Sequence, residues 1–253
     1  MFKHTILWAA VAGLVLALAP AAQAGTIDLS NPLDVAKYGP LITALNLSDG
    51  DIFRMVFVTS ATTTAEETGI LYYNTFVDNV ANNVDPYTGE PVTGSIVAKY
   101  GWTWKAIGST ADDHAIDNTV TTYTDEAPGY PIYLVGGDYD KVADDYKDLW
   151  NGDIDIAIRR DETGDTTGEG MAWTGSLPTG YREGYYLGHS AGYAEAGWVQ
   201  HNSSLWINGG HQGLYGQRWV YAMSEPVTVV PEPATLALLG LGGVGLILSR
   251  KRR

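Results

Sequence analysis

The chain has 253 residues, 45% apolar, 17% charged and 11% aromatic, with 30 glycines and no cysteine, which excludes wholesale disorder, a collagen-like repeat, a multi-span membrane protein and any disulfide. Twenty-nine acidic against fifteen basic side chains give a formal charge of −14. Five of the bases (Lys3, Arg250, Lys251, Arg252, Arg253) stand in the tails, so residues 25–231 carry ten bases and twenty-eight acids, about −18, and a nucleic-acid partner, which needs clustered Lys and Arg, is excluded as well.

At the N-terminus, Lys3, an apolar stretch from Ile6 to Ala19, the helix-breaking Pro20 and the small-residue pattern Ala22-Gln23-Ala24 predict a signal peptide over residues 1–24, read by the Sec translocon and cut after Ala24. The apolar stretch falls short of the ~20 residues that span a bilayer. Asp51 to Ser60 contains Ile52, Phe53, Met55, Val56, Phe57 and Val58, an apolar run suited to a strand buried on both faces. Ile70, Tyr73, Val77, Val80 and Val84 then recur at steps of three and four, and Thr63-x-x-Glu66 and Thr64-x-x-Glu67 offer capping boxes, which predicts a helix over 65–84.

Pro86, Gly89, Pro91 and Gly94 mark a loop, followed by predicted strands over 102–109 and 131–135, the second ending at Gly136-Gly137-Asp138. Val142, Ala143, Tyr146, Leu149 and Trp150 predict a shorter helix stopped by Asn151-Gly152. Beyond Ile154, short apolar runs (154–158, 171–173, 197–199, 205–207, 219–223) alternate with glycine-rich connections. Two early helices and short strands with long loops give an α+β class, and no linker divides residues 25–226, so one domain is expected.

The succession Phe57-Val58-Thr59-Ser60, Trp104-Lys105-Ala106-Ile107-Gly108-Ser109, Pro131-Ile132-Tyr133, Val142-Ala143 with Asp148-Leu149-Trp150-Asn151-Gly152, Trp173-Thr174-Gly175, Gly197-Trp198 and Tyr221-Ala222-Met223-Ser224 resembles a family of bacterial surface domains similar to C-type-lectin-like and endostatin-like folds. The resemblance implies a single C-type-lectin-like domain of short antiparallel strands. Trp150-Asn151-Gly152 breaks the Trp-Asn-Asp run through which many C-type lectins hold calcium and sugar, so calcium-dependent sugar binding is not implied.

Gly188-His189-Ser190-Ala191-Gly192 matches the G-x-S-x-G nucleophile elbow, which needs a strand-to-helix turn with an acid and then a histidine further on. No Asp follows Asp165, so only Glu195 or Glu225 could be the acid, with His201 or His211 as base, and Glu225 lies beyond both histidines; the segment after Ser190 is short and rich in Gly and Ala, so a plain glycine-rich turn is the favoured reading. Nine aspartates between Asp138 and Asp165 fit no EF-hand spacing and read as solvated charge, with structural calcium the alternative. His189, His201 and His211 lack the spacing of a zinc site, and neither metal nor cofactor is expected. The tryptophans divide between core and a platform for sugar rings; Tyr186, Trp198, Trp206 and Tyr215 in the late loops are the candidate ligand surface, exopolysaccharide its candidate partner.

The last segment, 227–253, holds Val230-Pro231-Glu232-Pro233-Ala234, an apolar glycine-containing stretch predicted as a membrane helix over about 234–249, and Arg250-Lys251-Arg252-Arg253, whose charges keep that end in the cytoplasm. Gly240-x-Gly242-x-x-Gly245 copies a dinucleotide fingerprint, but no βαβ unit surrounds it. The order of Pro-Glu-Pro triplet, short apolar helix and basic cluster resembles the PEP-CTERM sorting signal, recognised by exosortases of Gram-negative bacteria, often those that make exopolysaccharide. The resemblance implies transient anchoring in the inner membrane, cleavage near Pro231 to Pro233, and delivery to the envelope or the exterior. The expectation is a non-catalytic matrix protein with a structural or adhesive role. A glycan-binding lectin-like module, or a secreted serine hydrolase using Ser190, is the alternative.

Overall fold

The computed structural model describes residues 25–230. Its strands are β1 (Thr26–Asp28), β2 (Ile52–Val58), β3 (Trp104–Ala106), β4 (Ile132–Leu134), β5 (Lys141–Ala143), β6 (Met171–Trp173), β7 (Tyr193–Trp198), β8 (Gly210–Gly213), β9 (Trp219–Ser224) and β10 (Val227–Val230). The helices are α1 (Pro32–Leu45), α2 (Ile70–Ala81) and the single turns α3 (Ala115–Asn118) and α4 (Tyr146–Leu149).

All ten strands join one mixed sheet whose main path runs β1-β10-β2-β9-β6-β7-β8, with β3 on β9, β4 on β2 and β5 on β4. The pairs β1·β10, β2·β4 and β6·β9 are parallel and the others antiparallel. The first and last described strands lie side by side, with Ile27 opposite Val229, and β10 also pairs with β2.

The two-residue period of β2 divides the core. Phe53, Met55 and Phe57 join Val220 and Ala222 of β9 and pack under Tyr38 and Leu41 of α1 and Tyr73, Phe76 and Val77 of α2. Val56 and Val58, with Tyr221 and Met223, face the opposite layer of Ile116, Leu149, Trp150 and Trp206. Both faces of the central strands are covered, which is why β2 reads as an apolar run interrupted only by Arg54. With no disulfide, burial carries the stability. Trp102, Trp104, Trp150, Trp173 and Trp206 are each at most 2% exposed. Tyr100 stacks on Trp102 at 4.5 Å between centroids, and Phe57 meets Trp104 edge-on at 4.8 Å.

The α+β class and its C-type-lectin-like domain are overturned: the chain builds a ten-stranded sheet of mixed direction with few helices. Three local effects account for the difference. α1 forms where no helix is expected, because Asn31 accepts the Leu33 N–H at 3.0 Å and Pro32 fills the first position, although Gly39-Pro40 interrupts its interior and Leu33 is 77% exposed. The helix expected from residue 65 begins only at Ile70, since Thr63 exchanges backbone hydrogen bonds with Arg218 and the Ala65 N–H donates to Leu214. The helix expected over 142–150 shrinks to α4, as Val142 and Ala143 are drawn into β5 and Asp145 caps the single turn that follows.

The signal peptide with Ala22 and Ala24, and the sorting residues from Pro231 onward, lie outside the described residues. Among the described residues no helix is long and apolar enough to cross a membrane; the helix expected over 234–249 lies outside them.

Candidate functional site

Arg54 is the one cation in β2, and the pleat sends it to the same face as Val56 and Val58, where it is 3% exposed. Its Nε donates to the Tyr146 hydroxyl at 2.7 Å, Nη1 to the Ser224 carbonyl at 2.9 Å and Nη2 to the Val120 carbonyl at 3.1 Å. Three of the five guanidinium N–H groups are thereby used by neutral acceptors. Among the described residues no carboxylate stands within ion-pair distance of it. Burial pulls its pKa below the ordinary arginine value, with Tyr146 opposing, but a guanidinium stays charged.

Arg54 lines a cleft of about 530 Å³ together with Lys105, Thr122, Tyr130, Tyr146 and Glu225. Lys105 enters from β3 in a half-buried position, and Glu225 follows β9, its carboxylate accepting the Thr103 N–H at 3.3 Å. Two cations, one acid, threonine hydroxyls and two phenol rings suit a ligand with both an anionic group and hydroxyls.

A second constellation stands on β8 and its neighbour β7. Glu195 of β7 faces His211 of β8 in register, Oε2 to Nε2 at 3.2 Å, and Glu183, from the loop before β7, reaches the same Nε2 at 3.6 Å. Glu195 is 1% exposed, and its Oε1 accepts the Gly210 N–H at 2.5 Å. Burial pushes its carboxyl above the usual glutamate range, while Gly210 and His211 pull it back. Glu183 accepts the Tyr185 N–H, and the Tyr185 ring lies 4.2 Å from the His211 ring.

The sequence-derived ligand surface does not assemble as one platform. Trp206 is fully buried, stacked on Trp150 at 6.2 Å and edge-on to Tyr221 at 5.7 Å, because its turn sits beneath β7. Trp198 is half-buried against the core, Tyr186 is half-buried beside His189 at 4.7 Å, and Tyr215 is 77% exposed in the turn between β8 and β9. Ser190 stands exposed in a turn that runs into β7, a strand where the nucleophile elbow requires a helix, and among the described residues no hydrogen bond joins it to a histidine.

Sequence reasoning does not mark Arg54 or Glu183, and it weighs Glu195 and His211 only as acid and base for Ser190, with His211 set aside as a zinc ligand for want of spacing, so their grouping is missed. A lone arginine inside an apolar run was the available signal for Arg54. The members of the Glu183-Glu195-His211 group are separated by loops and carry no fixed spacing.

No curated protein matches the chain. Residues 229–253 match the PEP-CTERM protein-sorting motif, whose first two residues are the last two of β10. The chain is therefore an exported protein that exosortase sorts, anchored at its C-terminus before processing.

Proposed function

We propose that the processed protein is a non-catalytic component of a polysaccharide-rich envelope or matrix, and that its adhesive contact is the Arg54 cleft, gripping an acidic sugar unit. One observation carries the reading: a nearly buried arginine without a carboxylate partner lines an open cleft in a body of about −18 charge. A buried cation is costly unless compensated, and a carboxylate-bearing sugar would compensate it while Thr122, Tyr130 and Glu225 meet its hydroxyls and ring. The destination set by the sorting motif supports such a partner, and the surroundings of Ser190 favour no hydrolytic role.

The test is calorimetric titration of the full chain, in detergent micelles, with a polyuronate and with a neutral glucan of equal length. Saturable binding of the polyuronate alone, weakened about tenfold or more by Lys105→Ala and abolished by 1 M salt, is expected. Equal affinity for both polymers, or polyuronate affinity unmoved by Lys105→Ala, would defeat the reading. Lys105 is half-buried at the cleft wall, so its truncation leaves the core intact.

A further inference from the structure

The cluster of Glu183, Glu195 and His211 is separate from the Arg54 cleft, and its geometry calls for a cation. Two carboxylates and an imidazole place one ligand atom each so that all lie within 4.8 Å of one another. Around a four-coordinate zinc-class ion, with bonds of about 2.0–2.2 Å, neighbouring ligand atoms stand roughly 3.3 Å apart. The spacings of 3.2 Å from Glu195 and 3.6 Å from Glu183 to Nε2 of His211 are close to that value.

The three positions are also unequal in a useful way. Glu195 is 1% exposed and held by the Gly210 N–H, so it is the fixed member. The His211 side chain is 44% exposed and that of Glu183 20%, so both have room for the small shifts that coordination needs. An imidazolium alone would offer one positive charge to two acids, one of them almost dry. A divalent ion matches both.

We infer that Glu183, Glu195 and His211 bind one divalent transition ion of the zinc class, which fastens the loop carrying Glu183 to the β7–β8 edge of the sheet. Mixed carboxylate and imidazole donors favour zinc over calcium, which takes oxygen ligands in larger number. The exposed side of His211 leaves a coordination position for water.

The experiment is titration of zinc chloride into the chelator-treated full chain in detergent micelles at neutral pH, followed by calorimetry and thermal melting. One ion per chain and a raised Tm are expected. Glu183→Gln and His211→Ala should each weaken binding about tenfold or more. His201→Ala, at a histidine outside the cluster, should leave it unchanged. Each variant is first shown to keep the wild-type Tm without metal to within a few degrees, and Glu183→Gln, nearly isosteric, decides the matter if His211→Ala does not fold. Absence of saturable one-to-one binding, binding that survives Glu183→Gln, or calcium chloride binding more tightly than zinc would overturn the inference.

Discussion

Arg54 and Tyr146 are joined by a 2.7 Å hydrogen bond that fastens the central strand β2 to the one-turn helix α4. The ring of Tyr146 also lies 5.1 Å from the guanidinium carbon, and the phenol pKa is raised by burial, with Arg54 opposing. Tyr146→Phe removes the acceptor and leaves a charged N–H without its partner on a side chain only 3% exposed. The expected loss is about 1.5–3 kcal/mol, read as a lower urea midpoint at unchanged slope.

Trp206 and Tyr215, both marked from the sequence as ligand contacts, should behave oppositely. Trp206→Ala empties a fully buried position and should cost about 3–5 kcal/mol. Trp206→Phe should cost clearly less, because the Trp206 Nε1–H is buried without a partner and its removal offsets some of the lost area. Tyr215→Ala, at a 77% exposed ring, should stay within about 0.5 kcal/mol of wild type. Chemical denaturation of the three variants checks all of this.

Gly197 in β7 is required for lack of space, not for its backbone angle. A Cβ there would stand 1.8 Å from the Trp206 carbonyl oxygen. Gly197→Ala should therefore push β7 from the Ser204–Trp206 turn and cost about 1–3 kcal/mol or more, whereas Gly192→Ser should be limited to the strain of a left-handed residue. Thermal melts of the two variants separate steric from conformational cost.

Stability should rise on mild acidification. Burial holds the carboxyl of Glu162 above its ordinary 4.5, although the Ser60 N–H at 2.9 Å and its hydroxyl both donate to it. Burial likewise raises Asp78 and Glu195. Such groups bind more protons folded than unfolded, so their stabilising contribution is complete below the unfolded value and is lost as pH rises through the folded one. Tm should climb as pH falls from neutral toward about 5, and Glu162→Gln should flatten the slope. Asp85 and Asp125, lowered by hydrogen bonds from Thr88 and Lys147, act in the opposite sense, and only as pH drops below their ordinary 3.8. A chelator in every sample keeps metal binding out of the comparison.

Glu232→Ala, or deletion of Arg250 to Arg253, should leave the chain in its anchored precursor form. Membrane fractionation and mass spectrometry of the C-terminus in an exosortase-bearing host would show it, and normal processing of both variants would contradict the assignment of the sorting residues.

What the sequence discloses follows from where each signal resides. β2 is legible because both its faces are dry, and the tail because its three parts are contiguous. α1 is not, because Tyr38 and Leu41 are its only buried side chains and Gly39-Pro40 masks the period; the Asn31-Pro32 start was its one usable cue. The pairing of Thr26 with Thr228, and the meeting of Glu183, Glu195 and His211, depend on long-range closure that no local pattern encodes. Arg54 misleads in another way: inside an apolar run it resembles an edge position, yet three neutral oxygens from distant segments make its burial tolerable.

The placement of β10 between β1 and β2 makes it a clasp. Among the described strands, Thr26 to Asp28 pair with β10 alone, so this edge of the sheet closes only when β10 is in place. In the sequence the Pro-Glu-Pro triplet begins at the residue directly after Val230, the last residue of that clasp. A cut beyond Val230 leaves the clasp shut; one placed a few residues earlier would unfasten both ends of the molecule at once.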